Sequence, residues 1–192
     1  MERPGRKYKA VVIGTSAGGL SALSVLLESL LPDYSVPLII VQHRSKDQKN
    51  LLEEVLQQKT MLPVQQAEEK EKIMPGFVYI APPDYHLLVE LDQTFSLSAD
   101  EPVNFSRPAI DILFETAADA YREELVGIIL TGSNADGAAG IAAINKNGGL
   151  TIAQDPSEAV FTEMPKAAIK KGVTHIYTLS AIGKFLSGII YA

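Results

Sequence analysis

The chain predicts an α/β fold: a doubly wound, mostly parallel sheet with helices on both faces and one β-hairpin. Three observations carry that expectation. Continuous apolar runs at residues 8–13, 36–41 and 125–130 have the length and character of strands buried on both faces. Segments with apolar residues at three- and four-residue spacing follow them, so β and α patterns alternate along the chain. The first and last of these runs lead into glycine-bearing loops, the way an open sheet turns a strand into a helix.

Each element has its own signal. Residues 8–13 form the first strand. Residues 19–31 read as a helix with Leu20, Leu23, Leu27, Leu30 and Leu31 on one face, stopped by Pro32-Asp33. The run 36–41 is the next buried strand. Residues 47–59 read as a helix, and the charged stretch 68–72 as a solvated loop. Residues 77–81 make a strand ended by Pro82-Pro83-Asp84. The pair 86–91 and 94–98, separated by Asp92-Gln93, makes the hairpin. Ser106 caps the next helix, with Pro108 in its first turn and Ile110, Leu113, Phe114, Ala117 and Tyr121 on its apolar face. A strand at 125–130 and a helix at 138–147, ended by Gly148-Gly149, come next. Strands at 150–153 and 174–177 flank a short helix near 165–171. Ser180 caps a last helix with Ile182, Phe185, Leu186, Ile189 and Ile190 facing inward, a core stripe rather than a membrane anchor. No repeat or low-complexity tract interrupts the pattern, and residues 1–192 are expected to form a single domain.

Composition removes several function classes. At 192 residues, 46% apolar and 21% charged, the chain has room for one sizeable core and the balance of a globular protein. A net charge of −6 disfavours nucleic acid as a partner, because neutralising phosphates needs a basic face. Without cysteine there are no disulfides, no thiol catalysis and no cysteine-ligated metal. The three histidines, His43, His86 and His175, are not paired at ligand spacing, so neither a metal nor a cofactor is expected. The basic first ten residues lead only into Val11, Val12 and Ile13 before Gly14, which is no signal-peptide core. No apolar segment approaches membrane-spanning length. The expectation is a soluble, cytoplasmic protein without membrane insertion.

Chemistry concentrates at the strand ends. Gly14-Thr15-Ser16-Ala17-Gly18 fits the G-x-S-x-G turn that presents a nucleophilic serine between strand and helix. A dinucleotide fingerprint would need glycine at Ser16 and an acidic residue after the next strand, where Gln42-His43 stands. A phosphate-binding loop would need lysine within Gly19-Leu20-Ser21. Taken singly, each candidate has a plainer reading: Ser16 as a helix cap, His43 as a polar strand end, Asp136 as the N-cap of the following helix. Taken together, one Ser, one His and one Asp each follow an apolar strand, and in a parallel sheet those ends share an edge. A buried Asp can orient an imidazole and stabilise its positive form without becoming protonated. The pattern therefore points to a serine hydrolase. The chain order Ser–His–Asp differs from the Ser–Asp–His order of α/β-hydrolases. His86, at the start of the hairpin, reads as either a substrate contact or a structural residue. His175, in a late apolar strand, reads as a hydrogen-bonded core residue.

Six ordered segments resemble the catalytic domain of the chemotaxis receptor methylesterase (CheB) family. They are Ile13-Gly14-Thr15-Ser16-Ala17-Gly18-Gly19; Val41-Gln42-His43; Tyr79-Ile80-Ala81-Pro82 with His86; and Arg107-Pro108-Ala109-Ile110-Asp111. Leu130-Thr131-Gly132 through Asp136-Gly137-Ala138-Ala139-Gly140 and Thr151-Ile152-Ala153-Gln154 complete the set. The resemblance implies hydrolysis of glutamate γ-methyl esters on the cytoplasmic helical region of a methyl-accepting chemoreceptor, often with deamidation of receptor glutamines. It puts Ser16, His43 and Asp136 on the family's triad positions, as nucleophile, base and orienting carboxylate. Backbone N–H groups near Ala17 and Ser133 would stabilise the oxyanion. Ala17 stands where the family often has Thr, and Ser133-Asn134-Ala135-Asp136 replaces the commoner Met-Gly-Asn-Asp, which bears on the loop holding Asp136. The resemblance begins within ten residues of Met1. The expectation is thus a stand-alone catalytic domain without the family's receiver domain, either constitutive or controlled by a separate response-regulator protein. Two other readings stay open: an esterase or amidase on another signalling substrate, and a non-catalytic module that docks on receptors through the same surface.

Overall fold

The computed structural model describes residues 7–44 and 51–191. In chain order the elements are β1 (Lys7–Tyr8), β2 (Ala10–Thr15), α1 (Gly19–Glu28), β3 (Leu38–Gln42), α2 (Leu51–Gln57), β4 (Val64–Gln66) and β5 (Val78–Ile80). The hairpin β6 (His86–Val89) and β7 (Phe95–Ser98) follows, then α3 (Ile110–Tyr121), β8 (Leu125–Ile129), α4 (Ala138–Lys146) and β9 (Leu150–Gln154). The chain ends in α5 (Glu163–Lys170), β10 (His175–Tyr177), α6 (Leu179–Ser187) and β11 (Ile190–Tyr191). Among the described residues, seven strands form one parallel sheet in the order β10-β9-β8-β2-β3-β5-β4. The β6–β7 hairpin is antiparallel, and β1 pairs with β11.

The strands are apolar throughout because both faces of the sheet are covered. Side chains alternate between faces with a period of two. Val11, Ile13, Leu38 and Ile40 therefore meet Leu23, Leu26 and Leu27 of α1 and Ile182 and Leu186 of α6. Val12, Ile39, Val41 and Ile129 point the other way, to Ile110, Leu113 and Phe114 of α3 and Ile141 and Ile144 of α4. The expected fold class is observed. It also positions a site: the connection after β2 runs to β3 with α1 on one face, whereas that after β8 runs to β9 with α4 on the other. Divergent connections from neighbouring strands leave a crevice at their carboxyl ends.

Several local expectations are corrected. The first strand runs over Ala10–Thr15, because Lys7 and Tyr8 pair with β11 instead. On α1, Leu23, Leu26 and Leu27 are buried while Leu20 is exposed, and the helix stops at Glu28, so buried Leu30 and exposed Leu31 lie beyond it. Ser106 caps nothing: α3 starts at Ile110, its N-cap is Ala109, and a carboxylate from another loop serves its first amides. Thr178, not Ser180, caps α6, its Oγ1 accepting the Ala181 N–H at 3.2 Å. Residue 190 belongs to β11 rather than to the last helix. Strand β4, half-buried at the sheet edge, carries no apolar run that would reveal it. The helix expected at 47–59 is seen as Leu51–Gln57, and residues 47–50 lie outside the described residues. Among the described residues, no helix is long and apolar enough to cross a membrane.

Candidate active site

Register brings the first two candidates to one edge. Thr15 pairs with Gln42, so Ser16 and His43 are the next residues off adjacent strands. The His43 N–H donates to Thr15 O at 3.1 Å. The Ser16 N–H donates to Thr131 O at 3.0 Å, tying the turn to the loop after β8. Gln42 Nε2 donates to both Ser16 O and His43 O at 2.9 Å, clasping the two loops together. The turn into α1 needs Gly18, whose φ is +81° and where a Cβ would lie 3.0 Å from Val160 Cβ.

Asp136 reaches the same edge from the loop after β8. It is not the N-cap of α4; Gly137 holds that position. Its Oδ2 lies 2.8 Å from His43 Nε2 and accepts the Ile110 N–H at 2.7 Å. Its Oδ1 accepts from Asp111 N–H and from Asn104 Nδ2, each at 3.1 Å. The carboxylate thus sits on the exposed amides of the α3 N-terminus, where a helix favours negative charge. Burial pushes the Asp136 carboxyl up, but the His43 hydrogen bond and the two amides outweigh it and hold it below the usual range. Ionised Asp136 can only accept, so His43 Nε2 carries the hydrogen of this bond. Nδ1 is then the free lone pair or second N–H.

Nδ1 faces the cleft, with Ser106 Oγ at 3.5 Å. No hydrogen bond joins Ser16 Oγ to His43 among the described residues. Ser16, His43, Ser106, Arg107 and Asn134 nevertheless line one cleft of about 710 Å³. A second arm of about 310 Å³ shares Ser16 and His43 and is bounded by Leu20, Leu51, Leu52 and Val55. The Ala17 N–H has no acceptor among the described residues. Ser133 is exposed, and its neighbour Asn134 is the one that lines the cleft. Among the described residues, no group of three or more His, Asp or Glu could hold a metal ion.

Several supporting residues escape sequence reasoning. Asn104 Nδ2 also donates to Asp111 Oδ2 at 2.9 Å, bridging two buried carboxylates. Burial, aided by the Asp136 charge, pushes the Asp111 carboxyl above its usual range against the pull of the Gly140 N–H and Asn104. Arg44, next to His43, makes a two-bond pair with Glu53 of α2, at 2.7 and 3.2 Å. Burial pushes the Glu53 carboxyl up, yet hydrogen bonds led by Arg44 outweigh it and hold it low. None of these has a local signal except Asp111, whose segment stands out by resemblance. His86 is the structural alternative of its two readings: Nδ1 accepts the Ala109 N–H and Nε2 lies 3.1 Å from Glu101 O. His175 is not a core residue. It is half-exposed on the edge strand β10 and stacks on Tyr177, ring centroids 4.9 Å apart.

Known proteins are similar to this chain in sequence and in fold. The family model described as CheB methylesterase matches residues 11–186. A Leptospira interrogans protein, provisionally named protein-glutamate methylesterase/protein-glutamine glutaminase, is 46% identical over 178 residues, covering 92% of each chain. The protein-glutamate methylesterase/protein-glutamine glutaminase of Thermotoga maritima is 35% identical over 173 residues, which span 88% of this chain and 50% of that one. The crystal structure of the Thermotoga maritima CheB methylesterase catalytic domain superposes with a TM-score of 0.90 at 34% identity, over 94% of this chain and 98% of that one. An edge that gathers Ser16, His43 and Asp136, on a fold matched over nearly its whole length, leads to one conclusion: the chain belongs to the CheB methylesterase family.

Proposed function

We propose that the chain is a protein-glutamate methylesterase that hydrolyses γ-methyl esters on a chemoreceptor through Ser16, His43 and Asp136. The observation that carries this reading is the 2.8 Å bond between His43 Nε2 and Asp136 Oδ2, which leaves Nδ1 turned to the cleft that Ser16 lines. Ser16 Oγ attacks the ester carbonyl as Nδ1 takes its proton. The tetrahedral oxyanion is stabilised by the free Ala17 N–H, at the mouth of α1, and by a donor from the 133–134 loop. His43 then protonates departing methanol, leaving Ser16 esterified with the glutamyl group. Water, deprotonated by Nδ1, attacks that acyl-enzyme and releases glutamate and free Ser16. Asp136, ionised throughout, fixes the tautomer and stabilises the imidazolium. A glutamine side chain entering the same way would release ammonia in place of methanol, matching the double name of the relatives.

The test is methanol release from a methylated chemoreceptor fragment by the intact protein and by Ser16→Ala. Loss of the nucleophile is expected to lower the rate by on the order of a thousandfold or more. Undiminished release by Ser16→Ala would overturn the assignment. No release by the intact protein, together with no labelling of Ser16 by a serine-directed phosphonate, would leave a docking module.

A further inference from the structure

Phe105 is fully exposed, and its backbone lies in the left-handed region with φ +63°, next to Asn104 at +50°. Val103 and Ser106 exchange two backbone hydrogen bonds, at 3.1 and 2.9 Å, so 103–106 is a tight turn with two left-handed central residues. Such turns favour Asn followed by Gly. Asn104 fits that preference. Phe105 stands where glycine would be unstrained, and it gains no burial in return.

The turn around it is held on every side. Asn104 bonds Asp136 and Asp111, and Arg107 donates to Asp84 and to the carbonyls of Ala99 and Asp100. His86 ties Glu101 to Ala109 across the base of the loop. A fixed turn therefore holds a bare aromatic ring at the rim of the cleft that contains Ser16 and His43. Exposed Leu20 and Leu51 border the adjoining arm.

We infer that Phe105 is a docking residue for the protein substrate, packing on an apolar patch beside the esterified glutamate. The inference rests on the methylesterase reading above. A protein that delivers a glutamate side chain to Ser16 must lie over this rim, and its surface would bury the ring. An aromatic ring on a rigid turn loses little freedom on docking, which makes it an effective anchor. Phe105 thus selects esters on a folded surface over free esters.

Phe105→Gly tests this on two substrates, a methylated chemoreceptor fragment and N-acetyl-glutamate γ-methyl ester. The expected result is that kcat/KM on the fragment falls by at least about tenfold relative to kcat/KM on the small ester, mainly through KM. Tm is expected to hold or rise, since the turn is relieved of its strain. Phe105→Leu, which keeps an apolar side chain, should retain most of the preference for the fragment. Equal effects on both esters would overturn the inference, as would a lowered Tm with both activities lost. An intact dimer that Phe105→Gly dissociates, seen by sedimentation, would assign the ring to a second copy and overturn it as well. Failure of the underlying reading looks different: the intact protein would release no methanol from either substrate.

Discussion

Asp136 is asked to do two things at once, and its surroundings explain how. It is buried, 1% exposed, yet it accepts from four donors: His43 Nε2, the Ile110 and Asp111 amides and Asn104 Nδ2. Asp136→Asn keeps the shape but turns one acceptor oxygen into a donor, facing donors already in place. Leaving buried groups unpaired costs about 1–3 kcal/mol, which a urea midpoint would read. The rate on a small ester should fall by roughly a thousandfold or more, because His43 loses its fixed tautomer. The pH dependence has a definite sign. A carboxyl held below its unfolded value stabilises the fold fully above that value, about pH 4 for Asp, and loses the contribution as pH falls through the folded one. The stability gap between intact protein and Asp136→Asn should therefore be widest above pH 4 and shrink in acid. A constant gap across that range would mean that the charge of Asp136 contributes nothing. Asp111, raised by burial, acts with the opposite sign: its contribution is present below the unfolded value and is lost as pH rises through the folded one.

At the level of elements, the site hangs on the packing of α3 against α4. The N-terminus of α3 holds Asp136, and the Gly140 N–H in α4 donates to Asp111 Oδ1 at 2.8 Å. The two helices approach so closely that a Cβ at Gly140 would lie 2.4 Å from Phe114 Cβ. Gly140→Ala must push the helices apart, at a cost of about 1–3 kcal/mol. It should also lower kcat at temperatures where the protein stays folded, because the amides that seat Asp136 move with α3. Chemical denaturation and kcat measured on the same preparation separate the two effects; full kcat in a destabilised variant would show that α3 seats Asp136 independently of this contact. The same elements show what sequence can and cannot reveal. The apolar face of α3 was readable because Ile110, Leu113, Phe114, Ala117 and Tyr121 recur at helical spacing, and all are buried. Its start was not, because the cap comes from Asp136, 26 residues away, and local patterns suggest Ser106 instead. The candidates were legible from their place on the strands, Ser16 and His43 directly after β2 and β3 and Asp136 in the loop that follows β8. Gln42 and Asn104 were not, since their work is to bridge loops that only the folded sheet brings together. Strands β1, β4 and β11, two or three residues long, are too short for any periodicity.

On the scale of the whole molecule, the parallel sheet divides its labour between its two ends. The carboxyl ends of β2, β3 and β8 carry the site. The opposite end is closed by β1 pairing with β11, with Tyr8 buried and its ring 6.3 Å from that of Phe185 in α6. Between them lie the six residues of β2, at about 3.3 Å each roughly 20 Å of strand. The site lies at the far end of β2 from the β1–β11 pair, so damage at the closed end should be felt as lost stability alone. Tyr8→Ala removes a buried ring from that end, at a cost of about 3 kcal/mol, or roughly 10 °C in Tm for a chain of this size. At 25 °C, with the protein still folded, kcat/KM on a small ester should match that of the intact protein. Equal kcat/KM beside a lowered Tm would show that the sheet transmits no strain along β2 and that the site depends only on its own end. A fall in kcat/KM without unfolding would instead mean that β2 couples the β1–β11 pair to the Ser16 turn, since this strand runs from one to the other.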